Sequence, residues 1–246
     1  MKVLITGATS GIGNFLSKNL PGKEKIDLII MGRDIEKGKE LGDFLLKQSN
    51  YKSVEFFTHD FTEEFPIPLL KKLSKVDVII NSAADFGSTQ KITDFDHDQL
   101  FVNFDVNVVK PIQLFQNSIA SMVKNNFGII INIGSTSGIR GYPLRLPYCM
   151  SKHALLAFTK TLNGEIISGV YGENLNIRAY YLVLPPVNNE RLKKQISERA
   201  EYKKQDYLAV EKSFAKINNG FISEQVVMEK IISIINNRVK EEIIYF

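Results

Sequence analysis

The sequence predicts an α/β protein built on a doubly wound parallel sheet, in a single domain with a small helical insertion near its C-terminal end. Short β-branched runs alternate with longer amphipathic segments along the whole chain. The runs are apolar throughout instead of alternating, as strands buried on both faces should be. A chain of 246 residues, 44% hydrophobic and 24% charged, has the length and composition of one large globular domain.

Strands are expected over residues 2–6, 27–31, 53–58, 76–81, 128–133 and 176–184, each centred on a short apolar run. Helical patterns lie between them at 11–20, 35–48, 68–73, 95–124 and 147–168. The repeating β-α order gives a parallel sheet covered on both sides, with right-handed crossovers. A helix over 224–237 and a short strand over 241–246 close the chain. Residues 188–219 are dense in Lys, Glu, Arg and Gln. They are expected to form a solvated helical insertion that serves as a lid beside a substrate cleft.

Composition excludes several function classes. Lys plus Arg (31) exceed Asp plus Glu (27) by only 4, which gives no footprint for nucleic acid or a membrane surface. With one cysteine, Cys149, and three scattered histidines, neither an internal disulfide nor a metal site is expected. The longest apolar stretch, 179–187, holds two prolines and is far too short to span a bilayer. The chain passes from Lys2 through Val3-Leu4-Ile5 directly into Thr6-Gly7, leaving no room for a signal peptide, so a cytoplasmic location is expected.

The first strand runs into Thr6-Gly7-Ala8-Thr9-Ser10-Gly11-Ile12-Gly13 and then a helix. Glycines there permit a tight turn and close approach of backbone to a pyrophosphate, which the free N–H groups of the helix start then face. A strand before the turn and a helix after it are the context expected of a dinucleotide site. At the end of the second strand stands Met31-Gly32-Arg33-Asp34. Glycine occupies the place of the acid that would accept from a ribose 2′-OH, and Arg33 suits a 2′-phosphate, so NADP is expected, with NAD as the alternative if Asp34 turns inward.

Tyr148 and Lys152 lie four residues apart behind Pro147, on one face of a helix. A cation beside a phenol lowers its pKa, as a general acid/base for a carbonyl–alcohol pair requires. Ser135, thirteen positions before Tyr148, follows a strand end, where ligands of open α/β sheets bind. Asn107 sits in an apolar helical stretch and needs a partner or a function.

These motifs together resemble the short-chain dehydrogenase/reductase family, in its single-domain form, from Lys2 to about Pro186. The resemblance implies a Rossmann fold. It also implies a tetrad of Asn107, Ser135, Tyr148 and Lys152, and a homodimer or homotetramer paired through the long helices. In it Tyr148 exchanges a proton with the substrate oxygen, Ser135 holds that oxygen, and Lys152 binds the nicotinamide ribose. Asn107 kinks its helix and anchors a water. Asp60, followed by Phe61, matches the family's acidic residue at the adenine. Asn81-Ser82-Ala83-Ala84 departs from Asn-Asn-Ala-Gly, and Pro185-Pro186-Val187 from the usual Pro-Gly. The nicotinamide amide is then expected at Val187 backbone atoms and an Asn side chain.

The implied function is NADP-dependent interconversion of a small-molecule carbonyl and a secondary alcohol, with no metal. Two alternatives are a cofactor-binding sensor or scaffold, and an epimerase or dehydratase of the family's extended branch; the intact tetrad and the short chain argue against them. Tyr142 and Leu144, in the apolar loop before Tyr148, are expected in the substrate wall, with Phe86, Ser88 and Gln90 near the same crevice. Cys149 is expected to be a packing residue, and His153 structural. Arg191, Lys193, Lys194 and Arg199 raise an anionic substrate as a hypothesis, although Glu190, Glu198 and Glu201 interleave with them.

Overall fold

Apolar residues at successive positions of each strand go to opposite faces of one sheet. A computed structural model describes residues 1–20, 25–48 and 50–246. Seven strands, β1 (Lys2–Thr6), β2 (Ile26–Gly32), β3 (Tyr51–Thr58), β4 (Val78–Asn81), β5 (Gly128–Ile133), β6 (Ile177–Val183) and β7 (Ile243–Tyr245), form a sheet in the order β3-β2-β1-β4-β5-β6-β7. Every pairing is parallel. Val3 and Ile5 face a core with Leu16, Leu41, Leu45, Val227 and Ile231, while Leu4 faces a second core with Leu73, Leu114, Phe115 and Leu162. Burial of each such side chain contributes about 1.5–3 kcal/mol, and the double burial explains why these strands show no alternation.

The helices are α1 (Gly11–Asn19), α2 (Ile35–Leu46), α3 (Ile67–Leu73), α4 (His97–Phe104), α5 (Lys110–Asn125), α6 (Leu146–Ile167), α7 (Glu190–Lys203), α8 (Tyr207–Ile217) and α9 (Glu224–Ile235). The sequence pattern reads 95–124 as one helix, but a π-helical turn at Asp105–Val109 divides it into α4 and α5. Lys110, in the first turn of α5, is fully buried and pairs with Asp105 at 3.4 Å and Glu64 at 3.6 Å.

The charged stretch after β6 is less solvated than its composition suggests. Helices α7 and α8 pack on a small core of their own, Leu192, Ile196, Ala200 and Val210, joined by Tyr207, Phe214 and Phe221. The base of this hairpin is closed: Val187 bridges Ile222, and the Pro186 carbonyl accepts from the Ile222 N–H at 3.1 Å. Strand order reverses between β1 and β4, so the crevice at the carboxyl ends of the sheet opens there, beneath the hairpin. Among the described residues, no helix is long and apolar enough to cross a membrane.

Candidate active site

Gly7 and Gly11 adopt φ of +67° and +50°, values that glycine takes without strain. A Cβ on Gly7 would stand 2.8 Å from the Ala83 backbone, and one on Gly13 would overlap the Gly7 carbonyl. Thr6 ties the turn to the end of β4, its Oγ1 accepting from the N–H groups of Ser82 and Ala83 at 3.0 Å each. Helices α2, α4, α7, α8 and α9 begin with a side chain that accepts a capping bond; α3, α5 and α6 begin on Pro66, Val109 and Arg145, which carry no acceptor, whereas Ser10 at the start of α1 carries one and accepts none. First-turn N–H groups of α1 are therefore left to an outside anion, with the helix dipole behind them. Backbone bared by glycine and an uncapped helix start together fit a dinucleotide pyrophosphate.

At the end of β2, a Cβ on Gly32 would meet Thr9 Cγ2 at 2.6 Å, so the place of a ribose-binding acid is filled from the first turn. Asp34 caps α2 instead, accepting from the Lys37 N–H at 3.0 Å and pairing with its ammonium at 3.1 Å. Those bonds hold its carboxyl below the usual range. Arg33 is exposed and forms no ion pair among the described residues. Across β3, the Asp60 carboxylate accepts from the Thr62 N–H and hydroxyl, which lowers its pKa, with a smaller contribution from the Arg33 charge.

The tetrad converges from three elements. Ser135 follows β5 and begins a 3₁₀ turn, Thr136–Gly138, its Oγ accepting from the Ser137 N–H at 3.0 Å. Tyr148 and Lys152 lie on the buried side of α6, 6% and 3% exposed. Lys152 Nζ donates to the Ile133 carbonyl at 2.8 Å. Asn107, in the π-turn, donates to the Asp85 carbonyl at 2.8 Å and to Ser151 Oγ at 3.0 Å, and accepts from the Asp85 N–H at 2.9 Å. It thus joins the loop after β4 to α6 beside Lys152. Tyr181, fully buried on β6, ties Ser135 to Lys152: its hydroxyl accepts from the Ser135 N–H at 3.2 Å and donates to the Lys152 carbonyl at 3.1 Å. No sequence pattern marks Tyr181, because it lies within an apolar strand.

A cavity of about 140 Å³ lies beside Tyr148, with Ile12, Ser82, Ala84, Pro185 and Val187 on the side of the glycine turn. Ser135, Tyr142 and Lys152 also line it, and α7 and α8 cover it. Leu144 is not among its lining residues; it has φ +66° and its carbonyl accepts from the Gln90 N–H. Ser88 and Gln90 hydrogen-bond to each other and also lie outside the lining. Phe86 does line it, stacked on Tyr148 at 4.7 Å and 19°. Of the cations raised for an anionic substrate, Arg191 and Arg199 line the cavity, while Lys193 and Lys194 are exposed and pair with Glu190 and Glu198. Arg145, in the same loop as Tyr142 and Leu144 that is expected in the substrate wall, does line the cavity, while Phe214 and Asn218 enter the lining unforeseen. The spacing of four between Phe214 and Asn218 was the available signal for a shared helix face. Cys149 is buried, as expected of a packing residue, and His153 is exposed, its ring bonded to the Cys149 carbonyl.

The sequence pattern of the family described as short chain dehydrogenase matches residues 1–198. The chain belongs to the short chain dehydrogenase family. It is 36% identical over 165 residues to the 3-oxoacyl-(acyl-carrier-protein) reductase FabG of Rickettsia felis, covering 66% of this chain and 65% of that protein. It is 31% identical over 171 residues to the NADP-dependent 3-hydroxy acid dehydrogenase of Schizosaccharomyces pombe, covering 67% and 65%. The chain thus matches just under two thirds of the length of these relatives. Its fold is that of the L-sorbose reductase of Gluconobacter frateurii complexed with NADPH and L-sorbose (TM-score 0.83, 20% identity, 100% of this chain and 94% of that one). It is equally that of an NAD+-bound xylitol dehydrogenase (TM-score 0.83, 17% identity, 100% and 96%).

Within this short chain dehydrogenase, both departures from the family pattern have local partners. The Ala84 carbonyl accepts from Arg191 at 2.6 Å, and Pro186 serves as an acceptor for Ile222, a role that needs no N–H. Asn189 caps α7, and its Nδ2 lies 3.8 Å from where a Cβ of Gly11 would stand, which puts an Asn amide beside the glycine turn.

The electrostatics correct one expectation. Burial raises the Tyr148 pKa instead of a cation lowering it; the largest charges that oppose the rise are Arg145 and Arg191, with the Ser135 side chain acting alongside them. Burial also drives the Lys152 ammonium down to about 7. Below that pH both folded and unfolded chains hold the proton; between pH 7 and 10.5 only the unfolded chain does, so this group makes stability rise with pH across that window. Urea denaturation of protein purified without nicotinamide is expected to gain roughly 2–3 kcal/mol from pH 7 to pH 9. Lys152→Met should flatten that rise, and an unchanged slope in the variant would assign it to other groups.

Proposed function

We propose that this chain is an NADP(H)-dependent oxidoreductase that interconverts a carbonyl and a secondary alcohol, with Tyr148 as proton donor and acceptor. The observation that carries this reading is the convergence of Tyr148, Ser135 and Lys152 on one cavity that continues into the uncapped start of α1. The nicotinamide, when bound, supplies or takes up the hydride at the carbonyl carbon. In reduction Tyr148 gives its phenolic proton to the substrate oxygen while Ser135 Oγ orients that oxygen. A phenol whose pKa is raised by burial is protonated at neutral pH, which favours the donor role. Lys152, released from the Ile133 carbonyl, is placed to bind ribose hydroxyls and to neutralise the phenolate that results. Gly7, Thr9, Ser10, Gly11, Ile12 and Gly13 form the pyrophosphate cradle, with Asp60 and Phe61 beside the adenine. Asn81 and Ala83 shape the ribose wall, and Pro185, Val187 and Asn189 receive the nicotinamide amide. The relatives' names, a 3-oxoacyl reductase and a 3-hydroxy acid dehydrogenase, describe this same carbonyl–alcohol pair.

The hairpin over 188–219 acts as the substrate lid. Exposed Phe101, Val102 and Val109 along α4 and the π-turn, with Met150 on α6, favour pairing of two or four copies through these helices.

Titration of the protein with NADPH and NADH, followed by nicotinamide fluorescence, tests the cofactor half of the proposal. NADPH is expected to bind more tightly, and Arg33→Ala to cost it about 10- to 100-fold while NADH changes little. Equal binding of the two cofactors overturns the NADP preference. Tight binding with no turnover across a panel of aldehydes, ketones and alcohols gives the sensor or scaffold instead.

A further inference from the structure

Three arginines line the cavity beside Tyr148, from α7 (Arg191, Arg199) and from the loop before α6 (Arg145). Each guanidinium lies near an aromatic ring: Arg145 5.2 Å from that of Tyr148, Arg191 4.0 Å from that of Phe86, and Arg199 5.3 Å from that of Phe214. Stacking of this kind fixes a guanidinium plane and leaves its N–H edge free for a planar acceptor. Among the described residues, none of the three has a carboxylate oxygen within 4.0 Å, although seven other cation–carboxylate contacts are that close. Their one hydrogen bond to protein is from Arg191 to the Ala84 carbonyl. The acids nearby are otherwise engaged: the Asp85 carboxylate accepts from Gln99 and Asn103, and Glu198 is exposed and faces Lys194. Like charges gathered in a partly desolvated cavity repel one another, and burial works against the charged form of all three. An anion in the cavity removes both penalties.

We infer that Arg145, Arg191 and Arg199 bind the carboxylate of the substrate, so that this enzyme acts on a short oxo acid and the corresponding hydroxy acid. Planar guanidinium edges match a carboxylate with two parallel hydrogen bonds. Arg145 lies against the ring that carries the reacting phenol, so carboxylate and carbonyl are only a few bonds apart, as in a 2- or 3-oxo acid. The aromatic faces of Phe86, Tyr142 and Phe214 leave the remainder of the cavity to a short apolar tail. This inference rests on the assignment of Tyr148 as the proton donor, and its test separates the two.

The test is calorimetric titration of the full chain, with and without NADP+, with 2- and 3-hydroxybutanoate and the methyl ester of each. Turnover of the same four compounds is measured in parallel. The acid is expected to bind about 10- to 100-fold more tightly than its ester. Arg145→Gln and Arg191→Gln should each reduce that ratio to within about threefold while retaining the affinity for the ester. Equal binding of acid and ester by the unaltered protein overturns the inference. So does a parallel loss of acid and ester in the variants, which marks the arginines as structural. A loss confined to NADP+ affinity also overturns it, because the guanidiniums then serve the cofactor. Acid-selective binding without turnover leaves the arginine assignment standing and defeats the oxidoreductase reading.

Discussion

Tyr148→Phe is expected to lower kcat by about 10²- to 10⁴-fold, the usual contribution of a positioned general acid. It should leave NADPH binding essentially unaltered. The substitution removes one oxygen and keeps the ring that stacks on Phe86 at 4.7 Å and faces the Arg145 guanidinium at 5.2 Å, so the wall of the cavity survives. Steady-state kinetics with the best substrate from the panel, paired with a fluorescence titration, separates the chemical loss from any loss of binding. Retention of a tenth or more of kcat would show that another group, with Ser135 the nearest candidate, supplies the proton.

The second large effect is expected at Gly13. Its missing side chain gives room to the Gly7 carbonyl, whose carbon would stand 2.8 Å from an added Cβ. Both partners in that clash are backbone, and Gly7 is itself held against Ala83, so no rotamer change relieves it. Gly13→Ala should therefore destabilise the protein by about 1–3 kcal/mol. It should also weaken NADPH binding by an order of magnitude or more, because the N–H groups of α1 shift. Gly164→Ala, on the exposed side of α6 with nothing within 4 Å of the added methyl, is the control; it is expected to stabilise by up to about 1 kcal/mol. Urea denaturation of the two variants would give shifts of opposite sign. A stable Gly13→Ala protein that binds NADPH normally would mean that the turn has slack the geometry does not show.

The sheet was legible because the apolar centres of its strands are buried on both faces: 2–6 and 128–133 were read to the residue, each followed at once by a glycine, Gly7 and Gly134. The π-turn was not. Asp105-Val106-Asn107-Val108 carries a helical periodicity, and the extra residue in the turn is stabilised by bonds from Asn107 to a loop more than twenty positions away. The Tyr148–Lys152 pair and the glycine turn were legible because local spacing encodes them: a separation of four on one helix, or glycines between a strand and a helix. The grouping of Arg145 with Arg191 and Arg199 was hidden for the opposite reason. The loop of Arg145 is legible as substrate wall, but it has no period, and its proximity to the other two arginines exists only after α7 folds back over β4. Residues 188–219 were misjudged in one respect. Their apolar positions are few, but α7 and α8 set them against each other, so a mean over the segment misses the core between Leu192, Ile196, Ala200 and Val210.

The pairing of Val187 with Ile222 means that the chain leaves the sheet for the α7–α8 hairpin and returns to it at a single point. Loop-closure entropy grows only slowly with the length of what lies between two joined ends, so the residues beyond this clasp can be lengthened, shortened or replaced at little cost to the sheet. The carboxyl ends of β1 and β5, and the helix that bears Tyr148 and Lys152, belong to the part that stays behind. Arg191 and Arg199 belong to the part that can be exchanged. On the proposed reading the proton chemistry stays with the scaffold together with Arg145, and the detachable cassette adds Arg191 and Arg199 to the choice of the molecule that receives the proton.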